Sequence, residues 1–218
     1  MTPVRADPGR VAAIVPVGTL AGAKTRLGET LDAEERQDLV DGLLARTVTA
    51  ALAAAALDDV LVVSPDREVL RRAAELGART LRQRTRGLNA GLREARDDAV
   101  AGGASAVLVL PIDLPFVSAE AVGSVLEALA SASATGRSAR AVVLVPDRHG
   151  TGTNALALRP PDVIEFEFGK GSRAGHRAAA AAVRATYREL DGPLTIDLDT
   201  PDDYVQVEAL TREGVHAR

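Results

Sequence analysis

Residues 106–113 read "AVLVLPID", five apolar residues in a row followed by a proline and, at the end, the carboxylate Asp113. A strand with no polar face must be covered on both sides, as at the centre of a parallel sheet. Working outward, the same kind of segment recurs. Val11–Val17 ("VAAIVPV"), 59–64 ("DVLVVS") and 141–146 ("AVVLVP") read as further buried strands, and 78–81 ("ARTL") as a short one. Helical patterns lie between them. One runs from Asp32 to about Ala56, with Asp32 and Glu35 spaced as a capping box. A short one is capped by Asp66 or Ser64 and ends near Gly77, one spans 88–101, and another is capped by Ser118. Residues 131–140 ("SASATGRSAR") read as a linker. Beyond it "NALALRP" and "LTIDLD" read as strands, a helix opens near Ser172, and "DTPDDYVQVEAL" starts a helix with Thr200 as cap and Pro201 in first position. Strands alternating with helices over short links predict a Rossmann-like α/β domain, a mixed and mostly parallel sheet with helices on both faces. In such sheets ligands bind beyond the carboxyl ends of the strands.

Composition narrows the chemistry. The 218 residues suit one domain, 11–218, behind a loose tail over 1–10. Aromatics are only 2% and Trp is absent, so Ala, Val and Leu must fill the core. A net charge of −4 gives no footprint for nucleic acid or a membrane surface. The absence of Cys excludes disulfides and thiolate metal sites, and with three His any metal site must be built from carboxylates. Carboxylates favour a hard ion such as Mg2+, or Mn2+. The N-terminus lacks the pattern of a signal peptide, and no apolar run reaches the ~20 residues of a membrane span, so a cytoplasmic location is expected. A homodimer is allowed, and nothing in the chain requires it.

Four stretches carry candidate chemistry. "GTLAGAKTRL" (18–27) places Lys24 and Arg26 among small residues just after the first strand, where backbone N–H groups and two cations suit a polyphosphate. The spacing is not that of a P-loop: Gly18, Gly22, Lys24 and Thr25 are one residue out, and the helix cap comes later, at Asp32. A solvated basic turn is the plain alternative. In "VLVLPIDLPF" (107–116), Asp113 at the end of an apolar strand is costly without a cation nearby, although it could simply cap the turn. In "TIDLDTPDD" (195–203), Asp197 and Asp199 alternate, so on a strand they share a face. Their repulsion is relieved by a divalent ion, whereas Asp202 and Asp203 suffice as first-turn helix acids. "DRHGTGTNALALRP" (147–160) and "FEFGKGSRAGHR" (166–177) are Gly- and hydroxyl-rich loops, and free N–H groups near Ser172 could take an anion. His149 and His176 lie in these loops and receive no role, since a lone histidine is more often structural. The arginines of "RQRTRGLNAGLR" (82–93) read as a solvated basic face.

In the order "AKTRL", "GLNAGL", "PIDLP", "DRHGTGTNAL", "FGKGS", "DLDTPDD", these motifs resemble the 2-phospho-L-lactate / phosphoenolpyruvate guanylyltransferases of coenzyme F-420 biosynthesis, from about Val11 to Tyr204. That family has a GT-A-like nucleotidyltransferase fold, a three-layer sandwich. The resemblance implies GTP and a small phosphorylated carboxylic acid as substrates. It puts Pro16, Val17 and Gly18, with Lys24 and Arg26, at the triphosphate, and Ser64, Asp66, Leu88 and Asn89 by the base and ribose. It gives Asp113, Asp199 and Asp197 to Mg2+, and Thr153, Gly169 and Ser172 to the acceptor. Catalysis would rest on Lys24, Arg26 and Asp113. Two positions depart from the family pattern: Gly18 stands where Lys is frequent, and Ile112 where Gly commonly precedes the metal-binding Asp. The expected reaction moves GMP from GTP to phosphoenolpyruvate, with 2-phospho-L-lactate or 3-phosphoglycerate as alternative acceptors. A molybdopterin nucleotidyltransferase and a non-enzymatic nucleotide-binding module are the other readings. Retention of all three aspartates argues against the module.

Overall fold

The apolar run Arg10–Pro16 forms β1, the strand around which the rest is arranged. The structure is a computed structural model that describes residues 9–19, 31–135 and 139–216. Strand β1 pairs in parallel with β2 (Asp59–Ser64) on one side and β4 (Ala104–Val109) on the other, with Ile14 opposite Leu61 and Val109. The short β3 (Arg79–Arg82) extends the β2 edge. Beyond β4 lie β6 (Thr153–Arg159), β5 (Ala141–Pro146) and β7 (Thr186–Glu189), giving the order β3-β2-β1-β4-β6-β5-β7. Among the described strands only β6 runs antiparallel, to both β4 and β5. The mixed, mostly parallel sheet is the one expected.

The period-two alternation of each strand feeds two cores. Ala13 and Val15 of β1 face α1 (Ala33–Ala53), α2 (Arg67–Glu75) and α4 (Ala119–Thr135), through Leu44, Val48, Val69 and Leu129. Ala12 and Ile14 face α3 (Leu88–Ala101) and α5 (Ser172–Ala182), through Leu92, Ala95 and Ala180, with Phe166 beside them. Three layers result. Small strand residues bring the helices close, so a core poor in aromatics still closes. The caps form as read. Asp32 accepts from the Glu34 and Glu35 amides while Glu35 reaches back to the Asp32 amide, and Asp66 caps α2. Helix α6 spans Pro201–His216. No helix among the described residues is long and apolar enough to cross a membrane.

Two expectations are corrected. Residues 131–135 are not linker: α4 continues through them, because Ala132 is wholly buried and prolongs the apolar stripe of Leu129. "LTIDLD" is not a strand. It begins in a single 3-10 turn, Pro193–Thr195, and runs on outside the sheet, while the strand in this region is the earlier "TYRE" of β7.

Candidate active site

A cleft of about 700 Å³ opens beyond the carboxyl ends of β1 and β4. This is where the sheet order reverses, β2 continuing to one side of β1 and β4 lying on the other. Pro16 to Thr19 form one wall and Pro111 to Asp113 the next. The antiparallel β6 is what closes the third side. Because it runs against its neighbours, its first residues, Thr153 and Asn154, sit at the cleft rather than at the far end of the sheet. The backbone of Ile112 is not left-handed, so a side chain is accommodated there. At Gly18 a Cβ would meet nothing within 4 Å, so the cleft wall has room for a side chain there.

Four carboxylates line this cleft, Asp113, Asp147, Asp197 and Asp199, and none of them lies within a strand. The Leu198 amide donates to the Asp113 carbonyl at 2.9 Å, which fastens the 196–199 segment alongside the turn after β4. Asp113, Asp197 and Asp199 therefore line one cleft. Buried Asn154 holds the segment from below, its amide donating to the Leu194 carbonyl (3.0 Å) and to Asp197 Oδ1 (3.5 Å). Burial pushes the Asp197 carboxyl above the usual range, and the charge of Asp199 adds to the effect against the Asn154 hydrogen bond. On the other side, Asp203 in the first turn of α6 accepts from the Asp199 and Thr200 amides and from the Thr200 hydroxyl. Burial works to raise the Asp203 carboxyl. Those bonds and paired Arg148 outweigh it, and the group stays below the ordinary range. Asp203 is thus a fixed anion that holds the backbone of Asp199.

Another part of the cleft is rich in hydroxyls, with the Asp147 carboxylate beside Gly152. Thr153, Gly169 and Ser172 line it together. The Ser172 hydroxyl donates to Thr153 Oγ1 at 3.0 Å, and Thr153 Oγ1 lies 3.1 Å from His176 Nδ1. The sequence reading expects free amides at the start of α5, and the structure corrects this: the amides of Ser172 and Arg173 are both engaged. The Ser172 amide bonds the Gly169 carbonyl, and that of Arg173 the Thr151 carbonyl. An anion here meets hydroxyl groups and the positive end of the helix dipole.

A second cavity, of about 310 Å³, shares the walls Pro16, Val17, Gly18 and Leu88 with the first and continues past them. Gln83, Thr85, Arg86 and Gly91 line it. Gln83 donates to the Thr85 and Gly87 carbonyls, and a Cβ at Gly91 would lie 2.6 Å from its side chain.

Of the residues singled out in the sequence, Pro16, Val17, Gly18, Leu88, Asp113, Thr153, Gly169, Ser172, Asp197 and Asp199 meet in the large cleft. Three line neither cavity. Ser64 is fully buried, bonding the Gly18 carbonyl and the Asp66 amide, and Asp66 is the cap of α2. Asn89 makes two bonds to the Phe168 backbone, donating to its carbonyl and accepting from its amide, and so joins α3 to the Gly169 loop. Lys24 and Arg26 lie outside the described residues. Sequence reasoning passed over Gln83, Thr85, Asp147, Asn154 and Phe168, which line the cavities. Only the neighbouring glycines signalled them.

A family model described as "Guanylyl transferase CofC like" matches residues 11–218. The chain belongs to that family. It is therefore a nucleotidyltransferase. This guanylyltransferase is 46% identical over 192 residues to a phosphoenolpyruvate guanylyltransferase of Sphaerobacter thermophilus, covering 88% of this chain and 89% of the relative. It is 34% identical over 211 residues to a 2-phospho-L-lactate guanylyltransferase of Methanothermobacter thermautotrophicus, covering 96% and 88%. Among solved structures, a putative nucleotide-diphospho-sugar transferase from Desulfovibrio desulfuricans G20 superposes with TM-score 0.68 at 18% identity, over 87% of this chain and 82% of that one. A Mycobacterium tuberculosis H37Rv protein in complex with manganese superposes with TM-score 0.55 at 20% identity, over 91% and 97%. At these identities the superpositions establish the nucleotidyltransferase fold alone.

Proposed function

We propose that the protein transfers GMP from GTP to the phosphate of phosphoenolpyruvate. The products are pyrophosphate and enolpyruvyl-2-diphospho-5'-guanosine, for coenzyme F-420 biosynthesis. The observation that supports this most is one cleft that gathers Asp113, Asp197 and Asp199 with the hydroxyl cluster of Thr153 and Ser172, next to a side cavity with which it shares walls. The relative at 46% identity, a phosphoenolpyruvate guanylyltransferase, supports the acceptor. The relative that uses 2-phospho-L-lactate keeps that compound as the second candidate.

In this reading the side cavity by Gln83 and Thr85 takes the base, and Pro16 to Gly18 carry the nucleotide across to the cleft. Thr153, Gly169 and Ser172 bind the acceptor, whose phosphate then lies in the same cleft as Asp113 and Asp199. A phosphate monoester loses its second proton near pH 6, so its oxygen is a nucleophile at neutral pH without a general base. That suits a cleft whose described lining carries no histidine. Lys24 and Arg26, a few residues beyond Thr19 in the chain, are assigned to the leaving pyrophosphate. The carboxylates suit a divalent cation, Mg2+ or Mn2+, held by Asp113 and Asp199 with Asp197 close by. Among the described residues no three acidic or histidine groups form a metal cage on their own. That fits an ion that Mg2+-type chemistry holds by one or two carboxylates plus substrate phosphates. Such an ion would screen the crowded anions and polarise the α-phosphorus. Positioning and charge neutralisation then supply the rate enhancement.

The test is pyrophosphate release with four nucleotides crossed against phosphoenolpyruvate, 2-phospho-L-lactate and 3-phosphoglycerate. Turnover with GTP and phosphoenolpyruvate is expected. Turnover confined to 2-phospho-L-lactate would move the acceptor, and GTP binding without turnover in any pairing would overturn the reading.

A further inference from the structure

His176 is fully buried in α5 behind the hydroxyl cluster, and the reaction above gives it no part. Its bonding determines its tautomer. Nε2 lies 3.0 Å from the Glu167 amide, which can only donate, so Nε2 must be the bare nitrogen. The ring proton is then on Nδ1, and the 3.1 Å contact is a donation from Nδ1 to Thr153 Oγ1. Thr153 Oγ1 also receives the Ser172 hydroxyl proton. With both lone pairs of Thr153 Oγ1 engaged, its own proton is the one group left to bond outward, and Thr153 lines the cleft. We propose that His176 is a positioning residue for the acceptor: it fixes the Thr153 hydroxyl as a donor aimed into the cleft, where an acid's anionic oxygen can receive it. This rests on the acceptor reading of the Thr153 end.

The surroundings hold the arrangement. Phe168 packs edge-on against the imidazole with ring centroids 5.2 Å apart, and Asn89 clamps the Phe168 backbone from α3. Burial pushes the imidazole down to about 4, so the ring is neutral at working pH and keeps one proton to place. An imidazolium would present a second donor to the Glu167 amide. The site thus offers an anion an aimed hydroxyl proton while burying no charge behind it. A donor to a charged group is worth more than a neutral pair.

Two isosteres separate positioning from packing. In His176→Asn the side-chain amide stands at the place of Nδ1 and can still donate to Thr153. In His176→Gln the carbonyl stands at the place of Nε2 and satisfies Glu167, but nothing bonds Thr153. We expect H176Q to raise the acceptor KM about 10-fold with the KM for GTP unchanged, and H176N to recover to within about 3-fold of the parent. In a Thr153→Val background H176Q should add nothing further. Equal losses in H176N and H176Q, or equal shifts in both KM values, would overturn the proposal. Long-range 1H–15N NMR of the unmutated protein tests the tautomer without activity. It should show Nδ1 protonated and Nε2 bare, and the reverse would overturn the proposal even if every variant folds. Failure of the unmutated enzyme to use any phosphorylated acid, with this tautomer intact, would instead count against the acceptor reading.

Discussion

Removing the titratable ring at position 176 should cancel a defined part of the protein's acid sensitivity. In the unfolded chain histidine titrates near 6.5, whereas in the fold burial lowers it to about 4. Between those values the unfolded chain binds the extra proton, so stability rises with pH across this window. The contribution is fully present above the unfolded value and is lost as pH falls toward the folded one. Integrated from pH 7.5 down to 4.5, it amounts to a loss of about 2.5 kcal/mol. For a chain of this size that corresponds to roughly 5–10 °C in melting temperature. H176N and H176Q cannot titrate, so each should lose about 2.5 kcal/mol less than the parent between the two pH values. The comparison needs only urea unfolding of the three proteins at pH 7.5 and 4.5, since the other titrating groups are common to all. A difference under about 0.5 kcal/mol would refute the buried, neutral ring and the donor role built on it.

Other outcomes follow from particular contacts. Asp113→Asn should lower kcat by about 100-fold or more while leaving the melting temperature nearly unchanged, as steady-state kinetics and calorimetry will show. Asn89→Ala removes both bonds to Phe168 and should cost about 1–3 kcal/mol in urea unfolding, with a raised acceptor KM because the Gly169 loop loses its tie to α3. Gly91→Ala displaces the Gln83 side chain, which lines the side cavity and holds the Thr85 and Gly87 carbonyls. It should raise the KM for GTP several-fold and cost about 1–2 kcal/mol of stability, read from initial rates and melting curves. Asp203→Ala unties the Asp199 backbone and unpairs Arg148, costing about 2–3 kcal/mol. Because the Asp203 carboxyl is held below its unfolded value, that stabilisation is complete above the ordinary carboxylate range and fades as pH falls through the lower folded value. The parent and variant curves should therefore converge in acid.

The interior of this fold is legible because its strands are apolar on both faces. Runs such as "AVLVL" and "AVVLV" admit few other placements, and the caps at Asp32, Asp66 and Ser118 punctuate the helices between them. Edges are harder. Every residue of "TYRE" is only half-buried, so β7 carries no apolar run, and it forms because β5 offers it a parallel partner. "LTIDLD" has the alternation of a strand, yet its polar partners are the Asp113 carbonyl and Asn154, contacts that only the assembled sheet supplies. Carboxylates at the ends of apolar segments point to the site in the sequence, although no strand lies under Asp197 and Asp199. His176 shows the opposite case. Nothing near it in sequence announces burial, since Thr153 and Glu167 reach it from two other elements.

In the proposed reaction an acceptor phosphate oxygen attacks the α-phosphorus of GTP in this cleft. The direct measurement is a 31P NMR spectrum of the enzyme with GTP, phosphoenolpyruvate and Mg2+. Expected are loss of the phosphoenolpyruvate monoester signal, a pair of coupled resonances from a new unsymmetrical diphosphate diester, and free pyrophosphate in equal amount. Release of GDP and inorganic phosphate, or a phosphoenolpyruvate signal that persists while GTP is consumed, would contradict it.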